Sequence, residues 1–272
     1  MLVAHESPLA LLEKSRSYND YDYALVHLLP IYKQYLDYFK KSKELGRRIL
    51  LDNSLFELGE AFEPKEFAKW INEIKPYEYV APDVFSDSQA TIDSFKRWQD
   101  TYMPTVDGKI IGVVQGKTYQ EMIKCYSFMA LNADKIAINF ISSYFMTRGH
   151  ALEPNATPWH ILMDGRQKFI SDLILDGIWC YYIPHHLLGT TLPQEFIRYE
   201  RIPNIESIDT SNPIVAGMYN IRYNDYGLND KLIHKLAELM ESPVTDEHWN
   251  NIEYNIKMFR KINKIKEQSC QE

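Results

Sequence analysis

Four apolar runs in this chain each end in an acidic or amide side chain, and no other feature constrains the fold as tightly. They are Ile49-Leu50-Leu51-Asp52, Tyr79-Val80-Ala81-Pro82-Asp83, Ile110-Ile111-Gly112-Val113-Val114-Gln115 and Ile205-Glu206-Ser207-Ile208-Asp209. A short continuous run of β-forming residues is how a strand covered on both faces reads. When such strands lie parallel and close into a barrel, their C-terminal ends share one rim, where barrels keep their active sites. Three carboxylates and an amide on one rim can read a nucleobase edge. They can also do nucleophilic and acid–base chemistry beside it.

Helix patterns alternate with the strands. Residues 22–29, 48–52, 77–81, 109–114, 135–140, 179–183 and 205–209 read as strands, and 215–219 as a further piece of barrel wall. Helices are expected over 31–45, 64–74, 88–102, 118–131, 165–175 and 193–198, with Pro64 opening one and Asp87 or Ser88 capping another. Two more, over 229–240 and 246–265, finish the chain. Residues 142–159 break the rhythm and read as a long loop of the kind that often carries function. The alternation implies a parallel sheet, and 272 residues favour one (β/α)8 barrel domain over 1–272 with extra C-terminal helices at about 229–265. A doubly wound sheet is the alternative, but no Gly-rich phosphate turn supports it.

The composition is 45% hydrophobic, too apolar for disorder, yet no run of about 18 apolar residues exists and no membrane span is expected. The first residues lack a basic region followed by an apolar stretch, so no signal peptide is expected. Cys125, Cys180 and Cys270 are isolated, which fits a reducing cytoplasm and no zinc site. A net charge of −7 argues against indiscriminate nucleic-acid binding. Local basic clusters remain at Lys40, Lys41, Lys43, Arg47 and Arg48, and at Lys257, Arg260, Lys261, Lys264 and Lys266. Each reads either as a solvated helix face or as a phosphate-contacting surface.

The motifs, taken in order over roughly residues 45–215, resemble the tRNA-guanine transglycosylase superfamily, whose members exchange guanine for a 7-deazaguanine. The similar segments are Asp52-Asn53-Ser54-Leu55-Phe56-Glu57, Ala81-Pro82-Asp83, Gly112-Val113-Val114-Gln115-Gly116-Lys117, Leu188-Gly189-Thr190-Thr191-Leu192-Pro193-Gln194-Glu195 and Ser207-Ile208-Asp209. Gly112–Lys117 is the closest match. The chain departs from the family in three ways. It lacks the Cys-x-Cys-x-x-Cys zinc cluster, it carries Ser54-Leu55 where the family has a Gly pair, and it carries Ile138-Asn139-Phe140-Ile141-Ser142 after the fifth strand. Short zinc-less relatives of this kind resemble the phage and bacterial enzymes that insert 7-deazaguanines into DNA.

The resemblance implies Asp209 as nucleophile and Asp52 as acid–base, and the chemistry suits them. Exchange at one face of the sugar needs double displacement through a covalent glycosyl-enzyme. Asp83 can accept from N1–H and the 2-amino group of guanine, Gln115 can donate to O6, and the Gly116 backbone leaves room for close approach. Phe56 can stack on the base, and Asn53 completes the expected base site. Arg260, Lys261 and Lys264 are the expected nucleic-acid contacts. No metal and no cofactor is expected. The partners are DNA, with tRNA as the alternative, and a 7-deazaguanine base; the target nucleotide must be flipped out of its helix.

Each residue also has a plainer reading. Asp52 can cap the following turn, Asp83 and Gln115-Gly116 can be turn residues, Asp209 can start an Asx turn, and Phe56 can be core. His185 and His186 are adjacent on a strand and point to opposite faces, which favours structural roles, as for His5 and His27. A catalytically silent barrel that binds nucleic acid or a free deazaguanine is the rival outside enzymes.

Overall fold

The computed structural model describes residues 1–150, 155–232 and 234–266. Among these residues are eight strands: β1 (Leu2–His5), β2 (Asp22–Leu25), β3 (Ile49–Asp52), β4 (Glu78–Val80), β5 (Lys109–Val114), β6 (Lys135–Asn139), β7 (His185–Leu188) and β8 (Ile205–Thr210). They form one sheet in the order β1-β8-β7-β6-β5-β4-β3-β2, parallel at every pairing. This is a nearly closed α/β barrel of TIM type, with additional helices toward the C-terminus of the chain.

Between β1 and β2 no ladder forms among the described residues, and side chains close the seam instead. Asn19 accepts from the His5 amide at 2.7 Å and donates to the His5 carbonyl at 2.9 Å, as a peptide group would. Asp20 accepts from the Val3 amide at 2.8 Å while its own amide donates to the Val3 carbonyl at 2.9 Å.

The strands are buried on both faces because helices cover them outside and side chains fill them inside. The helix Pro64–Ile74 is typical. Pro64 sits in its first turn, and the Glu63 carboxylate accepts from the Lys65 and Glu66 amides. Phe67, Ile71 and Ile74 then fall on one buried face at helical spacing. Burying each contributes about 1.5–3 kcal/mol before chain entropy is counted. The helices Lys33–Glu44, Ser88–Thr101, Tyr119–Asn132 and Pro158–Leu175 extend the outer layer. Among the described residues, no helix is long and apolar enough to cross a membrane.

Several expectations are corrected. β1 supplies a strand where none was expected. The seventh strand is His185–Leu188, not 179–183. Tyr181 and Tyr182 are solvent-facing, and Pro184 has no amide to donate, so the ladder begins after it. Residues 215–219 are not barrel wall; they fall almost entirely within the helix Asn212–Met218, which Pro213 helps open. The 229–240 helix is reduced to one 3-10 turn at Leu236–Leu239, with Ile233 outside the described residues. The long loop contains a short helix, Ser143–Arg148, and residues 151–154 of it lie outside the described residues. The next helix starts at Pro158, not 165, on a Thr157 cap.

Candidate active site

A cavity of about 350 Å³ opens at the C-terminal rim, within the size range of small-molecule sites. Every strand end contributes to its wall. Glu6 follows β1, Leu25 ends β2, Asp52 ends β3, and Asp83 lies three residues past β4. Gln115 follows β5, Asn139 ends β6, Gly189 follows β7, and Asp209 is in β8. The four residues whose strand-end pattern opened the sequence argument therefore meet in one place.

Asp209 is the most firmly held. His186 Nε2 lies 2.9 Å from its Oδ1, and the Gly189 amide donates to the same oxygen at 2.9 Å. The other imidazole nitrogen, Nδ1, is 2.9 Å from Ser207 Oγ. A neutral imidazole satisfies both contacts by donating from Nε2 and accepting from Ser207. Oδ2 takes no bond from the described residues. Gly189 is required here. Its φ is +68°, and a Cβ would come within 2.3 Å of the Phe140 ring. Behind it, the buried Arg166 donates to Glu195 at 2.6 Å and to the Leu188 and Gly189 carbonyls, which pins the whole 188–195 turn.

Asp52 faces a crowd of like charge. Burial first, then Glu57 and Asp209, push its pKa well above the ordinary carboxylate value, while the Ser54 amide and Tyr23 hydroxyl oppose the rise. Glu6 is raised well above its usual value by burial and by Asp209, Glu57 and Asp52. Burial raises Glu57 to about 7. Each of these shifts favours the protonated form, which is the form a general acid needs. Burial lowers Lys231, on the same wall, to about 8.

Asp83 is held by two amides. Asn53 Nδ2 donates to Oδ1 at 2.8 Å and Gln115 Nε2 donates to Oδ2 at 2.7 Å. Burial nevertheless raises its pKa to about 6. Gln115 Oε1 accepts from the Ser86 amide at 2.9 Å, which fixes the amide orientation and leaves one Nε2 hydrogen free. Asn53, also on the wall, has both of its Nδ2 hydrogens taken. Its Nδ2 also donates to the Ala81 carbonyl, and its Oδ1 accepts from the Leu55 amide, so it positions Asp83.

Phe56 is half-exposed at the cavity mouth, edge-on to Phe140 with ring centres 5.2 Å apart. Gly116 is not part of the wall. A Cβ there would come within 2.9 Å of Glu121 and Met122, so the glycine serves the approach of the helix Tyr119–Asn132, not of a base.

The basic residues lie elsewhere. Arg260 is buried and donates to Asp20, which precedes β2, and Lys264 pairs with Glu200, which precedes β8. Both partners sit at the N-terminal end of the barrel, so Arg260 and Lys264, with Lys261 one turn away, are on the wrong end for the cavity. In the other cluster, Lys40, Lys41, Arg47 and Arg48 are all ion-paired. The cations that do line the cavity are Lys231 and Lys235, in the segment read as a helix.

Glu6, Tyr23, Glu57, His186 and Lys231 escaped the sequence reading. Of these, Glu57 lay in a segment already singled out, and His186 had been read as structural. His185 and His186 do point opposite ways: His185 stacks on Trp179 with ring centres 3.8 Å apart, while His186 faces Asp209. Among the described residues, no three ligating side chains come close enough to hold a metal ion. No family model matches the chain, and no curated protein does so. The architecture is TIM-barrel-like, a fold that commonly hosts enzymatic activity at the face where this cavity lies.

Proposed function

We propose that this barrel is a pentosyltransferase that exchanges guanine in a polynucleotide, DNA in the first instance, for a 7-deazaguanine. Asp209 carries the reading. One of its oxygens is clamped by His186 and Gly189, the other is free, and Asp52 is close enough to feel its charge. A carboxylate held by one oxygen is a pre-oriented nucleophile.

In the first displacement Asp209 Oδ2 bonds to C1′ of the flipped nucleotide and the C1′–N9 bond breaks. The electron pair leaves with guanine, which takes the proton held by Asp52. In the second, Asp52 takes the N9 proton of the incoming base, N9 bonds to C1′, and the C1′–Oδ2 bond breaks. Two inversions return the original anomeric configuration. Asp83 accepts from N1–H and the 2-amino group in both steps, and the free Nε2 hydrogen of Gln115 goes to O6. Phe56 covers the base at the mouth. Exposed Lys235, at the cavity wall, is a cation available to a flanking phosphate, a contact that added salt weakens.

The test is mass spectrometry of digested DNA and tRNA after incubation with the protein and 7-cyano-7-deazaguanine, alongside a denaturing gel for a covalent protein–oligonucleotide adduct. Modified deoxynucleoside and an adduct lost in Asp209→Asn support the reading. Faster incorporation into tRNA than into any DNA keeps the transglycosylase and overturns its polymer. No incorporation into either, with tight binding of the free base, leaves the silent binding barrel.

A further inference from the structure

Asn139 ends β6, is only 4% exposed and lines the cavity, yet among the described residues neither Oδ1 nor Nδ2 has a hydrogen-bond partner. A buried amide left open at both ends is costly, and folded proteins rarely tolerate one without a ligand or water to complete it. Its place on the rim is defined. Val114 pairs with Ile138, so the next residues along, Gln115 and Asn139, stand side by side. On the other side of Gln115 is Asp83, joined to it by the 2.7 Å bond. Three successive strand ends thus present an acceptor at Asp83, a free donor at Gln115, and an open donor–acceptor pair at Asn139. The edge of a guanine-type base runs in the same order: the N1–H and 2-amino donors, the O6 acceptor, then position 7.

We propose that Asn139 reads position 7 of the incoming base and selects a neutral, planar carboxamide there. The inference rests on the base-exchange reading and specifies its substrate. A carboxamide oxygen accepts from Nδ2 while its N–H donates to Oδ1, so both open atoms are satisfied at once. A nitrile only accepts and leaves Oδ1 alone. An aminomethyl ammonium only donates, leaves Nδ2 alone, and brings a charge toward Lys231, which lies 4.0 Å above the ring of the adjacent Phe140. Outgoing guanine offers N7, an acceptor, and satisfies half of the amide. The incoming carboxamide base is therefore held better than the base it replaces and competes better for the site.

The experiment is calorimetric binding of four free bases to the intact chain: 7-deazaguanine and its 7-carboxamide, 7-cyano and 7-aminomethyl derivatives. The carboxamide should bind roughly tenfold more tightly than the cyano or aminomethyl base, since each of those strands one buried polar atom. Asn139→Leu should bring the carboxamide-to-unsubstituted affinity ratio close to one. Asn139→Asp should move the preference to the aminomethyl base. The ranking on the unaltered protein stands as a test even if a variant fails to fold. Binding of 7-deazaguanine with no carboxamide preference, or a preference that survives Asn139→Leu, overturns this inference alone. Failure of all four bases to bind overturns the guanine-site reading and this inference with it.

Discussion

The two ends of this barrel each hold a cluster of charged side chains, and the clusters are built on opposite principles. At the N-terminal end, buried Lys135 lies 2.5 Å from Glu78 and 2.7 Å from Glu206, and Arg48 bridges the same two carboxylates. Two cations meet two anions. A register shift helps: His185 pairs with Ile205 but His186 with Ser207, so the unpaired Glu206 can turn to Lys135 while Ser207 and Asp209 stay in phase with the rim. At the C-terminal end, Glu6, Asp52, Glu57 and Asp209 share one cavity, and Lys231 is their closest buried counter-charge. The closed network is a device for holding the barrel together. The open one gathers carboxyls whose ionisation burial and one another oppose, at the face where such barrels carry function.

The sharpest break in that comparison is expected from Asp209→Asn. It should lower base exchange by roughly four orders of magnitude or more while leaving the fold intact, because it removes the bond-forming oxygen and also relieves like-charge repulsion. Product assays with a parallel urea titration check both halves. Near-normal exchange by the folded variant would sink the mechanism.

The mirror experiment is Lys135→Met at the other end. Leaving buried Glu78 with Arg48 as its one remaining cation should cost about 3 kcal/mol of stability or somewhat less. Turnover per folded molecule should hold at wild-type level. A loss of turnover larger than the loss of folded protein would show that the two ends are coupled.

Asp83→Ala should weaken binding of the free base roughly a hundredfold, since Asn53 and Gln115 lose their shared acceptor along with the ligand. Oligonucleotide affinity, carried by phosphate contacts, should change much less. The opposite pattern in paired titrations would make Asp83 a scaffold for the rim and not a reader of the base.

The smallest effect is on pH. Glu57 titrates near 7 in the folded chain against an ordinary value of 4.5, and Asp83 near 6 against 3.8. The native state therefore holds protons that the unfolded chain has released, so stability falls as pH rises from about 4 to 7. Glu57→Gln should remove part of that slope, on the order of 1 kcal/mol once solvent screening is allowed for. Thermal unfolding of the unliganded protein at pH 5 and pH 7.5 checks the sign. A protein more stable at pH 7.5 would mean that the rim carboxyls are already ionised.

The rim was legible at Asp52, Asp83, Gln115 and Asp209 because a buried strand followed by a polar residue is a local pattern. It was illegible at Glu6 because β1 is only Leu2–His5 and carries a histidine in place of a pure apolar run. It was illegible at Lys231 because 229–240 read as a helix, whereas its described part holds one 3-10 turn at Leu236–Leu239 and helical spacing does not place Lys231. The basic residues of the last helix misled for a related reason. Spacing along a helix tells which face a residue occupies, but not which end of the barrel the helix terminus reaches.

Taken alone, the chain's order of apolar runs and amphipathic helices determined a parallel α/β barrel, since strand burial and helix periodicity are properties of neighbours in sequence. It also determined which side chains four of the strands deliver to their C-terminal ends. Only the tertiary structure decided that Asn19 and Asp20 close the seam, that His186 and Gly189 hold one oxygen of Asp209, and that Arg260 is spent on Asp20 far from the cavity. Those facts are distances between residues tens to hundreds of positions apart. They depend on barrel closure and strand register, which no local pattern encodes.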